Sequence, residues 1–397
     1  MAKLPPEVSL GYCANAFRIE SCEDVFRFFR NEAAWIAASY PSLGVGLWLS
    51  NQVVTELIAA RLIEELKEKV LASRLQVFSM NGFPWGNFHE ARIKGSVYSP
   101  NWSELRRFDY TLQLIRVAQV LAQKGREFCI STLPLGDRWS LRHPHLLNQT
   151  ATFLVQIADV LDRLERDTGV RINLALEPEP FCYLETATDV VRYFQDFLLM
   201  RGIPELKARR GMSSESAHEM ILDRIRVCHD TCHAAVLFQE PVDVIKTYQK
   251  FGIQIGKVQV SSALAFECEN GKLKSGKSIV ECMKPFAEDR YLHQVVGWDH
   301  AGRRVEFPDL SEAIATWEVL PPSGEFRCHY HVPIHCPDFG EIGSTQPDLL
   351  KFLSLAEGDS LTSHWEIETY TWGVLPESIQ EESVAKGIVR EVNWILS

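Results

Sequence analysis

The sequence predicts an α/β barrel of the (β/α)8 kind, and three observations lead to this fold class. Short apolar, β-branched segments alternate with amphipathic stretches almost from end to end. Within one such stretch Ile58, Leu62, Leu66 and Val70 recur every four residues, the spacing of a helix packed on one face. This alternation predicts parallel strands joined by crossover helices. No Gly-x-Gly-x-x-Gly motif follows an early strand, so an open doubly wound sheet is the weaker alternative.

Nine segments are predicted as strands, one more than a closed barrel of this kind needs. They are residues 8–15, 44–50, 75–81, 127–133, 172–177, 225–230, 255–261, 326–332 and 364–370. Helices are predicted over residues 23–39, 53–72, 102–123, 147–167, 187–200, 242–251, 348–355 and 376–395. The extra strand, 326–332, lies in a long insertion, residues 262–345, after the seventh strand. Because such insertions lie over the catalytic face and no linker is visible, we expect one domain, residues 1–397.

Composition narrows the classes of partner. The chain of 397 residues is 46% hydrophobic and 23% charged, which is typical of a soluble globular protein. Its net charge of −11 argues against a nucleic-acid partner, because phosphate binding requires basic side chains. No apolar run approaches the ~20 residues of a membrane span. Ten cysteines without a CxxC motif or a signal-like start predict reduced thiols in the cytoplasm.

Three predicted strands end in carboxylates, and these residues are candidates for a metal site. Glu177 ends the fifth strand, Asp230 the sixth and Glu368 the last. The carboxyl ends of barrel strands meet at one face, so we expect these side chains to converge. Burying an unpaired carboxylate is costly, which favours a shared cation. Taken singly, Glu177 could instead form a salt bridge at the rim, and Asp230 could cap the following helix.

Two further polar residues lie at predicted inward positions of the last two barrel strands. Gln259 interrupts an apolar strand and is either a carbonyl ligand of a hard cation or a buried amide bonded to its neighbours. Glu366 shares the strand face of Glu368, and we expect it to contact a deeper polar group or to be a buried paired charge.

Imidazoles and one further carboxylate are the candidates for substrate binding. His233 follows Asp230 by three residues, at the same strand end. His329 and His331 are two residues apart, so on a strand they project to one side and can share a metal or a substrate; a surface pair is the alternative. Glu179, between two prolines, either shapes its loop or binds substrate.

The loop after the third strand is unusually aromatic. Phe83, Trp85 and Phe88 occur in a Gly/Pro-containing stretch, residues 81–89, on the expected catalytic face. We interpret Phe83 and Trp85 as an apolar lid over a ring or prenyl-like group of a substrate. The alternative is a lid packed on the barrel mouth, which would still border the pocket.

The stretch from Asp230 to His233 is similar to the Asp-Thr-x-His that follows the sixth strand of xylose-isomerase-like TIM barrels, which include sugar and inosose isomerases and endonuclease IV. Glu177 matches their fifth-strand ligand, and residues 367–369 resemble their eighth-strand Leu-Glu-Thr. The resemblance implies a divalent cation (Mn, Zn, Fe, Co or Mg) on Glu177, Asp230 and Glu368. Gln259 stands where those families carry a histidine, a departure that bears on metal affinity.

Over nearly its whole length the chain resembles the EboE family of metabolite-traffic proteins. The similar segments are residues 81–86, 131–136, 176–180, 258–264, 291–295, 329–333 and 368–376. That family is encoded in bacterial and algal gene clusters beside a prenyltransferase and a cyclase. The resemblance implies a role in moving or making a precursor in secondary metabolism, with proteins of the same cluster as partners.

Together the residues and the resemblance predict a divalent-metal-dependent isomerase or epimerase acting on a sugar or cyclitol, similar to sugar phosphate isomerases. Its catalytic residues would be Glu177, Glu368 and His233. A non-catalytic metabolite-binding protein on the same scaffold is the alternative. A metal-dependent phosphoesterase is disfavoured, because the early-strand histidine ligands of endonuclease IV have no counterpart in residues 48–50 or 131–134.

Overall fold

A computed structural model describes residues 9–86, 88, 93–356, 361–377, 380 and 383–397. Residue 8 of the first predicted strand, Asn87 and His89 of the aromatic loop, and residues 378, 379, 381 and 382 of the last predicted helix lie outside this range. Among the described residues, none of the helices combines the length and apolar character that a membrane span needs. All ten cysteines are free thiols, as predicted.

Eight parallel strands close into a barrel, which confirms the predicted fold class. They are β1 Ser9–Cys13, β2 Gly44–Trp48, β3 Gln76–Asn81, β4 Glu127–Thr132, β5 Arg171–Leu176, β6 Ile225–Asp230, β7 Ile255–Val260 and, after the insertion, β14 His364–Ile367. Around the barrel the order is β1-β14-β7-β6-β5-β4-β3-β2, so the last strand closes the ring between β1 and β7. Each strand lies within a predicted segment or one residue outside it, because continuous apolar runs mark strands that are buried on both faces.

Helices connect the strands and cover the outside of the barrel. They are α1 Cys22–Arg30, α2 Glu32–Ser39, α3 Asn51–Ala59, α4 Ile63–Ala72, α5 Leu105–Leu121, α6 Pro144–Thr168, α7 Ala187–Tyr193, α8 Met200–Arg210, α9 Ser214–Arg224, α10 Thr231–Val236, α11 Pro241–Lys250, α12 Ile279–Met283, α13 Leu310–Val319, α14 Gln346–Ala356 and α15 Val384–Leu396. A π-helical turn, Phe194–Leu199, joins α7 to α8.

Two predicted helices are wrong as single elements. The prediction over 53–72 is split into α3 and α4 because Arg61 adopts φ +59, a left-handed conformation that no helix continues through. The prediction over 23–39 is split at Asn31, whose ψ of −81 departs from helical geometry. The two parts of each split helix pack on the same core, so the apolar periodicity continues through the break. The periodicity therefore gives no sign of where the helix is interrupted.

The insertion forms a second, antiparallel sheet. Its strands are β8 Leu264–Cys268, β9 Val295–Asp299, β10 Arg304–Phe307, β11 Gly324–Cys328, β12 Asp338–Phe339 and β13 Ile342–Ser344, in the order β10-β9-β11-β8-β13-β12. The predicted extra strand, residues 326–332, overlaps β11 only at 326–328, at the centre of this sheet, so His329 and His331 lie in the segment that follows the strand and not on it. The sheet has its own apolar core, in which the rings of Phe266, Trp317 and Phe326 pack with centroids 5.6–5.7 Å apart. Its loops lie over the carboxyl end of the barrel.

Candidate active site

Three carboxylates converge at the carboxyl end of the barrel. Glu177 directly follows β5, Asp230 is the last residue of β6, and Glu368 directly follows β14. One oxygen from each side chain lies within 4.8 Å of the other two, and each residue is at most 3% exposed. Burial, reinforced by Glu368 and Asp230, raises the pKa of Glu177 well above its usual value. Burial, reinforced by Asp230, raises the pKa of Glu368 to about 8.

Asp230 is both a helix cap and a member of this cluster. Its Oδ1 accepts hydrogen bonds from the His233 backbone N–H at 3.0 Å and from Ser261 Oγ at 2.7 Å. Its Oδ2 and Oε2 of Glu177 are buried without a partner in the described part of the chain. Since a buried carboxylate oxygen costs free energy unless it is bonded, the carboxylate cluster fits a divalent cation.

Glu368 is held by side chains from three other strands. Its Oε1 accepts from Asn15 Nδ2 at 2.9 Å, Cys13 Sγ at 3.2 Å and Asn81 Nδ2 at 3.3 Å. Its Oε2 accepts from Gln259 Nε2. The sequence analysis missed Cys13, Asn15 and Asn81. They lie at the carboxyl ends of β1 and β3, the same signal that identified the carboxylates.

The Gln259 amide has partners at both ends. Its Nε2 donates to Glu368, and its Oε1 accepts from Cys228 Sγ at 2.7 Å. Of the two interpretations from sequence, the structure therefore shows the contacts of a buried amide bonded to its neighbours. One layer deeper, Glu366 contacts Ser79 and Lys257, which confirms the expected buried paired charge.

The three predicted histidines meet beside the carboxylate cluster. His329 Nε2 lies 3.0 Å from Nε2 of His233 and 3.0 Å from Nε2 of His331. Each Nδ1 faces an oxygen that can only accept: His233 faces Pro178 O at 3.0 Å, His331 faces Glu368 O at 2.7 Å, and His329 faces Gln294 Oε1 at 2.6 Å. In its neutral form each ring would therefore carry its proton on Nδ1 and direct an Nε2 lone pair at the neighbouring rings.

Two of these imidazoles, His329 and His331, are neutral at physiological pH. Burial lowers the pKa of His331 to about 4, and burial together with His233 and His331 lowers the pKa of His329 well below its usual value. Lone pairs in such contact repel unless a proton or a cation lies between them. His331 Nε2 is also 4.0 Å from Asp230 Oδ2, so the histidine and carboxylate clusters adjoin. A surface pair, the alternative for His329 and His331, is wrong, since both are buried.

Gln294 from the insertion positions one of these rings. Its Nε2 donates to Tyr98 OH at 2.7 Å and to Glu179 Oε1 at 3.1 Å, which turns its Oε1 toward His329. Glu179 also accepts from Tyr98 OH at 2.7 Å, and burial raises the pKa of its carboxyl. Neither Gln294 nor Tyr98 carried a signal in the sequence, because both lie outside the barrel strands.

Aromatic and aliphatic side chains form the upper wall of the cavity, which offers about 60 Å³ to the centres of water-sized molecules. Phe83, predicted to face a substrate, lines it together with Phe88. Trp85 does not line this cavity, and its ring lies 5.9 Å from the Arg106 guanidinium. The carbonyl of Pro84, which lies between Phe83 and Trp85 in the chain, accepts a hydrogen bond from Trp48 Nε1 at 3.1 Å. The side chain of Trp85 points away from the cavity.

The fold and these clusters define a (β/α)8 barrel with buried carboxylates and imidazoles at its catalytic face. A solved structure with a similar fold is a xylose isomerase-like TIM-barrel protein from Mycobacterium smegmatis in complex with magnesium, with 10% identity over 98% of this chain and 97% of that one and a TM-score of 0.48. A second is the IolI protein with a bound zinc atom, with 10% identity over 98% of each chain and a TM-score of 0.44. A third is the 3-keto-D-glucoside 4-epimerase YcjR from E. coli, with 16% identity over 70% of this chain and 85% of that one and a TM-score of 0.36. The first of them is described as xylose isomerase-like, the superfamily that the sequence resembles. Identities and TM-scores this low carry no conclusion about activity or ligand. No protein-family model and no curated protein matches the chain, so the EboE resemblance stays a prediction.

Proposed function

We propose that this protein is a divalent-metal-dependent isomerase or epimerase that acts on a sugar or cyclitol carrying a carbonyl group. The observation that carries the proposal is the set of three buried carboxylates, Glu177, Asp230 and Glu368, with two oxygens that have no partner among the described residues. These three side chains would hold a cation such as Mn, Zn, Fe, Co or Mg. Such a cation supplies Lewis-acid polarisation of a substrate carbonyl and its neighbouring hydroxyl.

The chain's own residues would position the substrate and move the proton. Glu177 would act both as a metal ligand and as the general base that removes and returns a proton on the carbon beside the carbonyl, because its carboxylate lies in the cluster and its Oε2 has no hydrogen-bond partner among the described residues. The Nε2 atoms of His233, His329 and His331 form an adjacent donor set for a second cation or for substrate oxygens. Gln259 would orient Glu368 and not bind the metal, since both ends of its amide are engaged.

The retained carboxylates disfavour the non-catalytic alternative. A protein that only binds a metabolite gains nothing from three repelling charges in a dry site, whose burial costs free energy. The wider setting, an EboE-type role in a precursor pathway with gene-cluster partners in the cytoplasm, is part of the same proposal and rests on the sequence resemblance.

Elemental analysis of the purified full-length protein tests the metal site. We expect at least one transition-metal ion per chain, and Glu177→Gln should lose most of it because one cluster charge is removed. Glu391→Gln is the matched control: Glu391 is also buried but lies outside the cluster, so metal content should not change. A metal-free wild type, or a Glu177→Gln protein as fully loaded as wild type, would contradict the proposal.

Solvent exchange separates an enzyme from a binding protein. In D₂O, the metal-loaded protein should incorporate deuterium beside the carbonyl of an accepted ketose or inosose, as followed by proton NMR across a panel of such compounds. Glu177→Gln should abolish the exchange while a bound compound is still detected. Binding without exchange throughout the panel would favour the non-catalytic alternative, and cleavage of a phosphodiester substrate would favour the phosphoesterase.

A further inference from the structure

We infer that the substrate is uncharged and joins a hydroxyl-bearing end to an apolar, ring-sized substituent. The polar end rests on the proposed function, since it is the part that would meet the carboxylate and histidine clusters. The apolar end and the absence of phosphate rest on separate observations about the walls of the cavity.

The cavity is divided into a polar floor and an apolar wall. The floor is formed by the strand ends that carry the carboxylates and by the three imidazoles. The wall comes from three segments that are distant in the chain: the loop after β3, the insertion and the loop after β14. Its apolar members include Phe83, Phe88, Val97, Leu292 and the rings of Tyr291 and Tyr370.

Three of these rings form one continuous surface. The centroid of Phe88 lies 4.9 Å from that of Tyr291 and 5.2 Å from that of Tyr370, and the two tyrosine rings are 5.0 Å apart. Tyr370 also packs on His331, with centroids 4.5 Å apart, so the aromatic surface begins where the imidazoles end. A molecule that reaches the floor therefore has its other end against aromatic faces.

This wall is unsuited to a molecule with hydroxyl groups on every side. Among the described wall residues, Tyr291 OH is a buried polar atom without a partner, whereas Tyr98 OH is already bonded to Glu179 and Gln294. Hydroxyls placed against the rings would lose their hydrogen bonds to water and regain few, whereas an apolar group loses none. The wall thus selects a substituent such as a phenyl ring or a short hydrocarbon chain.

Charge in the described lining disfavours a phosphorylated substrate. The lining contains the carboxyl groups of Glu177, Glu179 and Glu368 and a single Lys or Arg side chain, Lys94. Lys94 Nζ is already engaged by Asp309 Oδ2 at 2.8 Å and by Glu288 O at 2.9 Å. A phosphate at the wall would meet apolar rings and no available cation in this lining, which would leave its charge uncompensated. The inferred substrate is therefore not a sugar phosphate, although the sequence analysis drew a likeness to sugar phosphate isomerases.

Two glucosides and one sugar phosphate probe this inference on the purified full-length protein: phenyl β-D-glucoside, methyl β-D-glucoside and glucose 6-phosphate. In calorimetry or ligand-observed NMR we expect the phenyl glucoside to bind at least about tenfold more tightly than the methyl glucoside, because burying the ring removes apolar area from water. Glucose 6-phosphate should bind more weakly than the methyl glucoside. Phe88→Ala should remove most of the phenyl preference. Trp35→Ala, a partly exposed tryptophan on α2, is the matched control and should leave it unchanged.

Equal affinity for the two glucosides, or tighter binding of glucose 6-phosphate, would overturn the inference. If no glucoside binds, benzohydroxamate and acetohydroxamate repeat the comparison, and absence of a preference there also overturns it. Metal content measured on the same preparation separates the two proposals. A metal-free protein that prefers the phenyl probe rejects the proposed function alone, and a metal-loaded protein without the preference rejects this inference alone.

Discussion

Lys257 and Glu366 form an ion pair that is completely buried inside the barrel. Both residues are 0% exposed, and Lys257 Nζ lies 3.3 Å from Glu366 Oε1. Burial is the largest single influence and acts to lower the pKa of Lys257, but Glu366, Cys228, Cys13 and Glu368 together raise that pKa well above its usual value. The pair lies two residues before Gln259 and Glu368 on the same strands, so the lysine charge is directly beneath the carboxylate cluster. It acts to lower the pKa of Glu177 and of Glu368.

Breaking this pair should be strongly destabilising. Lys257→Met leaves the Glu366 carboxylate buried without its counter-charge, and we expect a loss of roughly 3–5 kcal/mol in the free energy of unfolding. The double variant Lys257→Met/Glu366→Gln removes both charges and should be more stable than the single Lys257→Met variant. Urea unfolding measures both. A single variant as stable as wild type, or a double variant less stable than the single one, would contradict the charge-pair account.

Glu391 makes stability depend on pH. Burial raises the pKa of its carboxyl to about 8, although hydrogen bonds from Thr369 Oγ1 and the Ile334 N–H act in the opposite direction. The folded-state pKa lies above the unfolded one, near 4.5, so the contribution to stability is complete below pH ~4.5 and is lost as pH rises toward 8. The slope of this loss is at most about 1.4 kcal/mol per pH unit.

Glu391→Gln should remove this part of the pH dependence. The amide oxygen can still accept from Thr369 and Ile334, but the side chain no longer ionises. Urea unfolding at pH 5, 6.5 and 8 should show that the free energy of unfolding of the variant rises relative to that of wild type with each step. At pH 8 this relative rise should be roughly 2 kcal/mol or more. A constant difference between the two proteins across this range would show that Glu391 does not titrate within it.

At the scale of elements, α15 packs against the loop that follows the last barrel strand. Gly387 in this helix faces Trp372, and a Cβ added there would lie 2.6–2.8 Å from three ring carbons. The glycine therefore sets how closely α15 approaches. Trp372 itself lies in the core shared with the insertion and is not among the residues that line the cavity.

Gly387→Ala tests this close approach. In an unconstrained helix alanine would stabilise by roughly 1 kcal/mol, but here the clash with Trp372 should cost about 1–3 kcal/mol. Gly95→Ala, in the 3₁₀ turn Lys94–Tyr98 with nothing within 4 Å of the added Cβ, should be close to neutral. Thermal unfolding distinguishes the two. A stabilised Gly387→Ala protein would show that the helix moves aside without cost.

At the scale of the whole molecule, ion pairs and hydrogen bonds join the insertion to the barrel around the site. Lys94, in the loop after β3, pairs with Asp309 of the insertion at 2.8 Å, and both side chains are largely buried. On the opposite side Arg327 of β11 donates to Ala235 O at 2.6 Å and pairs with Asp348 at 3.3 Å. Because Gln294 and Tyr291 reach the cavity from the insertion, its attachment determines the geometry of the site.

Lys94→Met should loosen this attachment on one side. Asp309 would be left buried with one fewer charged partner, at a cost of about 1–3 kcal/mol. We expect faster amide hydrogen exchange in residues 286–296, with little change in the strands of the barrel. Lys274→Met, which removes an exposed pair with Glu267 in the same insertion, is the control and should change little. Unchanged exchange in Lys94→Met would show that other contacts hold the insertion in place.

Much of the barrel could be predicted from local patterns. Its strands are apolar on both faces, so short apolar runs mark them directly, and a carboxylate that ends such a run stands out. Glu177, Asp230 and Glu368 were found in this way, and their convergence follows from the rule that parallel strands share a carboxyl end. The outward-facing His229, which stacks on Phe352 at 4.6 Å, follows from strand alternation in the same way.

The residues by themselves determined a closed α/β barrel and identified the carboxylates and histidines that meet at its carboxyl end. Only the tertiary structure decided how the insertion folds, because its strands pair residues as far apart in the chain as Leu264 and Ser344, and local periodicity contains no information on such pairing. It also decided which nitrogen of His329 faces an acceptor, because Gln294 Oε1 lies beside Nδ1. The aromatic wall built from Phe88, Tyr291 and Tyr370 is likewise a result of the tertiary structure. Those contacts join segments distant in the chain, and they exist only once the barrel has closed and the insertion lies over it.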